Sequence, residues 1–446
     1  MTGVYSALAA GGFTSLMILQ PDPGSFRLRV SKQWDADLDF SRFTHDFHRD
    51  LLPCAAPQMF GDEDARERLS ALGADAALSQ LLDAMRRGGH RAVRCETHER
   101  LGLRVTSYLH SFRVGRNNGI HGLYAGGLRR HEPSTPEQVV FQDGLNLSRA
   151  MSYKNAAAGL PFGGCKLTAH CEDFPEATYG ANPSHEQLER LGYLAWVIDS
   201  GSLVTGPDMG FAPQLIDALR RHFTGHMVCG PGAHLGHTGG PTARGVFRAL
   251  EAAAEVRWGP AGLRGRVIAV QGLGSVGSVL SRFAHEAGAR LLLCDLDPER
   301  EAALLEALPG SERMPRDLFP HVKCDVLAPC AFGGLFDSQA IARLDCELIY
   351  GGANNQLCAS SRDEEQELAE ELAARDILTQ PDWTYTMGGV LTGFEEYLHP
   401  EPSLARVERR IDEVCGAGTR SLLERARSQG RTPTAQAYAD IESRIG

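Results

Sequence analysis

Two lysines, Lys154 and Lys166, flank a stretch of small side chains that runs from Ala156 to Gly164. Two ammonium groups held close together in a partly dry site lower each other's pKa, and burial lowers it further. One of them then acts as a neutral base near pH 7. The alternative is that both are surface lysines beside a glycine loop, because lysine is seldom buried. The sequence around the pair has to decide between these interpretations.

The residues before Lys154 have the pattern of a helix. Leu147 and Met151 recur at helical spacing, and Ser134–Glu137 fits a capping box with proline in the first turn. We therefore expect Lys154 near a helix C-terminus. The small residues that follow suit a backbone that passes close to a ligand.

The segment SYKNAAAGLPFGGCK, which ends at Lys166, resembles the signature of the Glu/Leu/Phe/Val dehydrogenase family, closest to its leucine and phenylalanine dehydrogenase branch. The resemblance implies that Lys154 holds the substrate α-carboxylate and that Lys166 is the catalytic base. It also implies that Asp208, in the segment TGPDMG, is the catalytic aspartate that relays protons to and from the amino group. An isolated aspartate in such a loop is ordinarily a turn residue.

A second motif has the full context of a dinucleotide site. The strand Arg266–Val270 leads into Gly272-Leu-Gly-Ser-Val-Gly277, and a predicted helix continues from Ser278 to Glu286. The next strand, Leu291–Cys294, ends at Asp295. In this arrangement the helix N-terminus faces the pyrophosphate, and Asp295 accepts hydrogen bonds from the adenosine ribose.

The cofactor expected from this motif is NAD. Asp295 would repel the 2′-phosphate of NADP, although Arg290 and Arg300 nearby leave NADP open. The family resemblance implies that further residues border the nicotinamide: a threonine before a helix, and two segments at later strand ends. The predicted cofactor-binding residues are Thr242, Gly272, Gly274, Ser275, Val276, Gly277, Asp295, Cys330, Ala331, Asn354 and Asn355.

The substrate pocket implied by the resemblance is apolar. Glutamate dehydrogenases have a lysine where this chain has Ala125, and a serine where it has Gly393. A buried substrate carboxylate without a cation is costly, so a branched-chain or aromatic amino acid fits better. Thr386 replaces a family asparagine that positions the substrate. The predicted substrate-binding residues are Lys154, Ala125, Gly126, Gly127, Thr386, Val390 and Gly393.

The alternation of strand and helix patterns predicts an α/β protein, and a length of 446 residues suits two domains. We expect an α/β substrate-binding and oligomerisation domain over residues 91–230, completed by C-terminal helices in 395–446. A Rossmann-type NAD-binding domain is expected over residues 231–394, after a glycine-rich hinge at Cys229–Gly245 that permits closure. Residues 1–90 form an N-terminal extension that either caps the substrate domain or extends a subunit interface.

Several local elements outside the motifs are also predicted. A strand is expected at Phe26–Val30, one amphipathic helix at Asp62–Arg87, and a strand at Leu103–Leu109. A polar turn at Arg116–Gly119 leads into a strand from Ile120 to Tyr124.

Composition limits the classes of partner. The net charge of −11 argues against nucleic-acid binding, and no apolar run is long enough to cross a membrane. Eleven cysteines without a CxxC pair are typical of reduced thiols, and with no signal peptide they favour a cytoplasmic location. No metal site is expected, because the histidine pairs His45/His48, His222/His226 and His234/His237 lack recognisable partner ligands.

The sequence thus predicts an NAD-dependent enzyme that reversibly deaminates an apolar L-amino acid to the 2-oxo acid and ammonia. Its expected partners are these small molecules and other copies of the chain in a homo-oligomer, with no nucleic acid or membrane. One alternative is a catalytically silent NAD-binding relative with a regulatory role. Another is a reductase of a pre-formed imine, which would turn over without ammonia.

Overall fold

The computed structural model of the protein describes residues 2–43, 54–111, 123–201 and 203–445. Its contacts divide the chain into two α/β units, which confirms the predicted fold class. The first unit consists of Met1–Ser152 and Pro161–Gly236, and the second of Tyr153–Leu160 and His237–Ile445. The predicted turn at 116–119, residues 120–122 of the strand predicted at Ile120–Tyr124, and His45 and His48 lie outside the described residues.

The first unit is built on a mixed eight-stranded sheet with the strand order β3-β2-β1-β4-β5-β7-β6-β8. Strands β6, β7 and β8 are parallel to one another, whereas the other neighbouring pairs are antiparallel. In chain order, the elements of this unit are α1 (Val4–Ala10), β1 (Ser15–Leu19), β2 (Arg27–Lys32), β3 (Gln58–Gly61), α2 (Asp62–Ala71), α3 (Asp75–Gly88), β4 (Ala92–His98), β5 (Leu103–Leu109), β6 (Tyr124–His131), α4 (Glu137–Ala157), β7 (Gly163–His170), α5 (His185–Ser200), β8 (Leu203–Pro207) and α6 (Pro213–His222).

Side chains along β7 alternate between the two faces of the sheet, and the two faces have different surroundings. Cys165, Leu167 and Ala169 belong to a hydrophobic core with residues of α5 such as Leu194. Lys166 lies between these core residues in the sequence, so its side chain points to the opposite face. Since every residue of β7 is buried, that face is covered as well, and the lysine sits in a protected environment.

The two glycines at the start of β7 allow the backbone to pack closely against neighbouring segments. A Cβ atom at Gly164 would lie 2.1 Å from the backbone nitrogen of Ser152 on α4. At Gly163 it would lie 2.5 Å from the carbonyl oxygen of Ser111. At these two glycines it is therefore protein backbone that approaches closely, and a ligand beside the run stays a prediction.

The N-terminal residues form the outer part of this sheet. Strand β1 pairs with β4 in register, with Leu16 opposite Cys95, so the described residues before 90 are a structural part of the unit. The Glu137 carboxylate accepts hydrogen bonds from the backbone N–H groups of Val4 at 2.7 Å and Tyr5 at 3.2 Å. It thereby caps α1, which has no side-chain cap of its own, in place of the predicted capping box on α4.

The single helix predicted at Asp62–Arg87 is wrong. The structure contains two helices, α2 and α3, and Gly73 between them has a φ of +79°. A residue in the left-handed region ends an α-helix, and glycine adopts that conformation at little cost. The apolar spacing continues across the break, so periodicity alone did not reveal it.

The second unit is a five-stranded parallel sheet with the order β11-β10-β9-β12-β13, the arrangement of a Rossmann-type fold. The predicted strands and helix around the glycine motif are confirmed. Its elements are α7 (Gly239–Trp258), β9 (Val267–Gln271), α8 (Gly277–Glu286), β10 (Arg290–Cys294), α9 (Pro298–Ala307), β11 (Glu312–Arg313), β12 (Val326–Pro329), α10 (Ser338–Ile341), β13 (Leu348–Ile349), α11 (Arg362–Ala374), α12 (Gly388–Leu398), α13 (Leu404–Ile411), a π-helical turn (Asp412–Ala417), α14 (Gly418–Ser428) and α15 (Pro433–Ile441).

The C-terminal helices belong to this second unit, which differs from the expectation that they complete the first. They pack on α7, and Asp412 pairs with both Arg244, at 2.7 Å, and Arg248, at 3.1 Å. The apolar side of α13, with Val407 and Ile411, is buried. These contacts with α7 explain the grouping.

Among the described residues, no helix is both long and apolar enough to cross a bilayer. All eleven cysteines are free. Most of them are buried within the two units.

Candidate functional site

The three parallel strands of the first unit bring the predicted catalytic pair together. Lys166 lies on β7, and Asp208 directly follows β8. In the sheet register, β6 lies between them, with Leu128 opposite both Leu167 of β7 and Pro207 of β8. Lys166 Nζ forms an ion pair with Asp208 Oδ2. The predicted pairing of these two residues is therefore present in the structure.

The pair is strongly shielded from water. Lys166 is 4% exposed, and the Asp208 side chain retains 19% of its exposure. Burial lowers the pKa of Lys166, while Asp208 opposes that change and Arg129 reinforces it. Burial tends to raise the pKa of Asp208, but the charges of Lys166 and Arg129 outweigh it and hold that pKa well below its usual range. The arrangement favours an ionised aspartate beside a lysine that gives up its proton readily.

The cation that lowers the pKa of Lys166 is Arg129, not Lys154 as predicted. Arg129 Nε lies 3.3 Å from Asp208 Oδ2, and its Nη1 donates to Asp143 Oδ1 at 3.0 Å and to Oδ2 at 3.1 Å. His131 Nε2 lies 3.0 Å from Asp143 Oδ2. Arg129, His131 and Asp143 were not predicted. Arg129 and His131 lie on β6 and Asp143 on α4, and no local sequence pattern pointed to them.

Of the residues predicted to line the substrate site, Ala125, Gly126 and Gly127 lie on β6. A Cβ atom at Gly127 would lie 3.0 Å from Lys166 Nζ and 3.1 Å from Asp208 Cβ. One at Gly126 would lie 1.8 Å from the carbonyl oxygen of Cys165. Gly127 therefore borders the catalytic pair directly, whereas Gly126 is required by the spacing of the strands.

Lys154 lies at the C-terminal end of α4 and belongs to the second unit. It is 7% exposed, and its Nζ donates to Asn354 Oδ1 at 2.6 Å. The end of the helix is held by arginines of the C-terminal helices, because Arg410 donates to Ala158 O at 3.1 Å and Arg444 to Ala156 O at 3.0 Å. These donors satisfy carbonyl groups that a helix end leaves free.

Lys154 has a buried acid as its neighbour. Asp382 is 5% exposed, and burial raises its pKa to about 6, although the charge of Lys154 opposes the rise. Its Oδ1 accepts a hydrogen bond from the backbone N–H of Asn355 at 3.0 Å, and its Oδ2 has no hydrogen-bond partner among the described residues. The hydroxyl of Thr386 donates to the carbonyl oxygen of Asp382 at 2.8 Å. The residue that replaces the family asparagine is thus turned toward the backbone.

The beginnings of α12 and α7 lie against each other. A Cβ atom at Gly388 would lie 2.1 Å from Pro241 O, and one at Gly389 would lie 3.4 Å from Thr242 Oγ1. The glycine pair therefore brings Thr242 close to α12, which also carries Val390 and Gly393. Val390 is half-buried and Gly393 is buried.

The predicted cofactor residues lie at the carboxyl ends of the parallel strands in the second unit. Gly272 has a φ of +88°, and a Cβ atom at Gly277 would lie 1.9 Å from Gly272 O. Gly274, in contrast, has no protein atom within 4 Å of its Cβ position. Two glycines therefore shape the turn, and the third leaves an open approach to the N-terminus of α8. Ser275 and Val276 complete this turn.

The neighbouring loops converge on the same edge. A Cβ atom at Gly272 would lie 2.9 Å from Ala331, and one at Gly277 would lie 3.0 Å from Cys330. Asp295 accepts hydrogen bonds from the backbone N–H groups of Leu273 and Asp297. Asn354 and Asn355 follow β13, where Asn355 has a φ of +50°.

These features fit a dinucleotide. The open position at Gly274 and the N-terminus of α8, which has no side-chain cap, suit a pyrophosphate. Asp295, at the end of the second strand, suits a ribose. Leu296 and Phe332 are 74% and 59% exposed at the ends of β10 and β12, where they offer apolar surface to a base.

One cluster of potential metal ligands occurs among the described residues. Donor atoms of Asp39, His185 and Glu189 lie within 4.8 Å of one another. However, Arg100 donates to both Glu189 oxygens, at 2.8 and 2.6 Å. The charge and hydrogen bonds of Arg100 also lower the pKa of Glu189. The cluster is therefore an ion-pair network in this structure.

With the fold and site described, comparison with known proteins identifies the class. Residues 90–224 match the model of the Glu/Leu/Phe/Val dehydrogenase dimerisation domain. The chain is 33% identical to leucine dehydrogenase of Thermoactinomyces intermedius over 65% of this chain and 76% of that protein. It is 30% identical to phenylalanine dehydrogenase of the same organism over 82% of this chain and 94% of that protein.

A third relative supports the same class in sequence and structure. The chain is 31% identical to L-tryptophan dehydrogenase of Nostoc punctiforme over 72% of this chain and 86% of that protein. The crystal structure of L-tryptophan dehydrogenase from Nostoc punctiforme superimposes with a TM-score of 0.61 at 27% identity, covering 81% of this chain and 98% of that chain. The protein belongs to the Glu/Leu/Phe/Val dehydrogenase family, whose members are oxidoreductases that use a nicotinamide dinucleotide.

Proposed function

We propose that the protein catalyses the reversible oxidative deamination of an apolar L-amino acid, branched-chain or aromatic, to the 2-oxo acid and ammonia with NAD. The observation that carries this proposal is the buried ion pair of Lys166 and Asp208. The named relatives act on leucine, phenylalanine and tryptophan. These relatives do not favour a silent NAD-binding protein or an imine reductase.

The chemistry follows from the protonation states that the site favours. The ionised Asp208 accepts a proton from the substrate ammonium group, so that the amine lone pair becomes available. When bound, a dinucleotide would supply the acceptor for the hydride that leaves the substrate Cα. Lys166 in its neutral form takes a proton from water as that water adds to the resulting imine. Asp208 returns its proton to the amine as the adduct collapses to the 2-oxo acid and ammonia, and the proton on Lys166 and the proton of the adduct hydroxyl pass to solvent.

The remaining predicted residues bind and orient the reactants. Lys154 pairs with the substrate carboxylate, and Ala125, Gly127 and Gly393 leave an apolar space for the side chain. Thr386 and Val390 line the substrate, and Gly126 fixes the strand that carries its neighbour. The dinucleotide is held by Thr242, Gly272, Gly274, Ser275, Val276, Gly277, Asp295, Cys330, Ala331, Asn354 and Asn355.

NAD rather than NADP is proposed because of the charges around Asp295. Its carboxylate would repel a 2′-phosphate. The two arginines that left NADP open are engaged elsewhere, since Arg290 pairs with Glu312 at 3.2 Å and Arg300 with Asp297 at 3.1 Å. We expect a lower KM for NAD than for NADP, and Asp295→Ser to narrow the difference. A wild-type enzyme that prefers NADP would contradict this assignment.

We also propose a homo-oligomer in the cytoplasm. Part of the first unit matches a dimerisation domain, and the free cysteines are typical of a reducing compartment. Light scattering of the purified protein would report the oligomeric state. A monomer at micromolar concentration would contradict this part of the proposal.

The test is NADH formation at alkaline pH across a panel of L-amino acids. We expect turnover with at least one of leucine, valine, phenylalanine and tryptophan, and its loss in Lys166→Ala. Lys323→Ala is the matched control, because this lysine is exposed on the second unit. Silence of the wild type across the panel, with NAD still bound, would refute the proposal. Reductive turnover that needs no ammonia would instead indicate an imine reductase.

A further inference from the structure

The contacts of Arg129 connect the catalytic pair to a second carboxylate. Its Nε faces Asp208 at 3.3 Å, and its Nη1 donates to both oxygens of Asp143, at 3.0 and 3.1 Å. Asp143 is on α4, whereas Asp208 follows β8, so one guanidinium bridges two elements that cover the same strand. A planar group with five donors suits this arrangement, and an ammonium group does not.

Asp143, which binds the Arg129 guanidinium, has a second contact that holds it in place. Asp143 also faces His131 Nε2 at 3.0 Å, and His131 lies two residues after Arg129 on β6. Because side chains alternate along a strand, both side chains project from the same face. Asp143 therefore contacts two neighbouring side chains of one strand, which limits how far the guanidinium can move.

We propose that Arg129 is a positioning residue for the reaction: clamped by Asp143, it holds Asp208 against Lys166 and keeps this carboxylate ionised until it accepts the proton of the substrate ammonium group. This proposal rests on the proposed function of the Lys166–Asp208 pair. Neither Arg129 nor Asp143 has to touch the substrate to act in this way.

The physical reason lies in the step in which Lys166 is neutral. At that point, the charge that Lys166 presents to Asp208 is gone, and burial favours the protonated acid. Without a second cation, the proton that leaves Lys166 would move to Asp208, which could then no longer accept a proton from the substrate ammonium group. The permanent charge of Arg129 prevents that transfer, because guanidinium keeps its proton at any pH the enzyme meets.

The charges that face Lys166 come from three elements. These are Asp208 after β8, Arg129 on β6 and Asp143 on α4, while His131 on β6 faces Asp143. Arg129 lowers the pKa of Lys166, and Asp143 raises it. Although Arg129 and Asp143 form one ion pair, removing one or the other should therefore shift the pKa of Lys166 in opposite directions.

The experiment is the pH profile of kcat/KM, whose acidic limb reports the proton on Lys166. We expect Arg129→Gln to move this limb by about one pH unit toward alkaline pH and Asp143→Asn to move it toward acidic pH. Arg129→Lys keeps the charge but cannot bridge both carboxylates. The acidic limb of its profile should therefore stay close to that of the wild type, while its kcat falls. Melting curves establish that each variant is folded.

The outcomes separate this inference from the proposed function. A wild-type enzyme without turnover would refute the function itself. A wild type that turns over, together with Arg129→Gln and Asp143→Asn profiles whose acidic limbs stay in place or move in the same direction, would overturn the role of Arg129 and leave the function standing. If Arg129→Gln does not fold, Asp143→Asn and Arg129→Lys still decide the question.

Discussion

Asp382 is a buried acid whose ionisation should cost stability, and the substitution Asp382→Asn tests this. The carboxyl is 5% exposed, and its Oδ2 has no hydrogen-bond partner among the described residues. Burial raises its pKa from 3.8 to about 6. An asparagine has nearly the same shape and can still accept the hydrogen bond from the Asn355 N–H. The variant therefore removes the charge with little change in packing.

The sign follows from proton linkage. Since the native pKa lies above the unfolded one, the native state holds the proton over an interval in which the unfolded chain has lost it. Stability therefore falls as pH rises between about 4 and 6 and is constant above. The full loss is about 3 kcal/mol at roughly 1.4 kcal/mol per pH unit. About half of it falls between pH 5 and pH 7.5, because the native Asp382 releases its proton near pH 6.

The assay is thermal melting of the wild type and of Asp382→Asn at pH 5 and pH 7.5. The difference in melting temperature between variant and wild type should increase by about 3–6 °C from the lower to the higher pH, in favour of the variant, for a unit of this size. Asp376→Asn is the matched control: Arg257 lowers the pKa of this exposed acid, so Asp376 is ionised in both states across this interval, and the difference for this variant should not change between pH 5 and pH 7.5. A difference for Asp382→Asn that is constant with pH, or that falls, would refute the reasoning.

Three further substitutions test the remaining parts of the site. Gly274→Ala should raise the Kd for NAD by about tenfold or more, because the added Cβ would occupy the open approach to the N-terminus of α8. The melting temperature should stay the same, since this Cβ meets no protein atom, and a Kd for NAD equal to that of the wild type would contradict the assignment. Gly127→Ala should lower kcat by about 10–100-fold, since its Cβ would lie 3.1 Å from Asp208 Cβ, and wild-type kcat in steady-state assays would contradict that crowding. Thr386→Asn should lower KM for the amino acid by restoring the family residue; a KM that is unchanged or higher would show that the threonine is the fitted residue here.

Local patterns in the sequence were sufficient for much of the second unit. A strand, a glycine turn and a helix in succession are fixed by short-range steric and hydrogen-bonding rules, and β9, Gly272–Gly277 and α8 follow them. The start of α5 follows such rules as well, because Ser184 and Gln187 form a capping box there. Such features need no knowledge of distant residues.

The network around the catalytic lysine depends on distant residues and was missed. Arg129 meets Asp143 and Asp208, which are 14 and 79 positions away in the sequence. Nothing in the local pattern of β6 indicates which carboxylates an arginine will face. The resemblance identified Lys166 and Asp208 by their motifs. Arg129, the cation that acts on them, could be identified only from the fold, in which the parallel strands lie side by side.

The strands that precede residue 90 have a consequence for any shortened form of the protein. The match to the dimerisation domain begins at residue 90, yet β1 is hydrogen-bonded to β4, and α1 is capped by Glu137 of α4. A chain that starts at the family boundary would expose the backbone edge of β4 and strip the cover from apolar residues such as Phe141 and Leu145. Such an edge recruits other strands, so we expect the truncated enzyme to aggregate rather than fold. For this member of the family, the smallest autonomous folding unit is larger than the segment that defines the family.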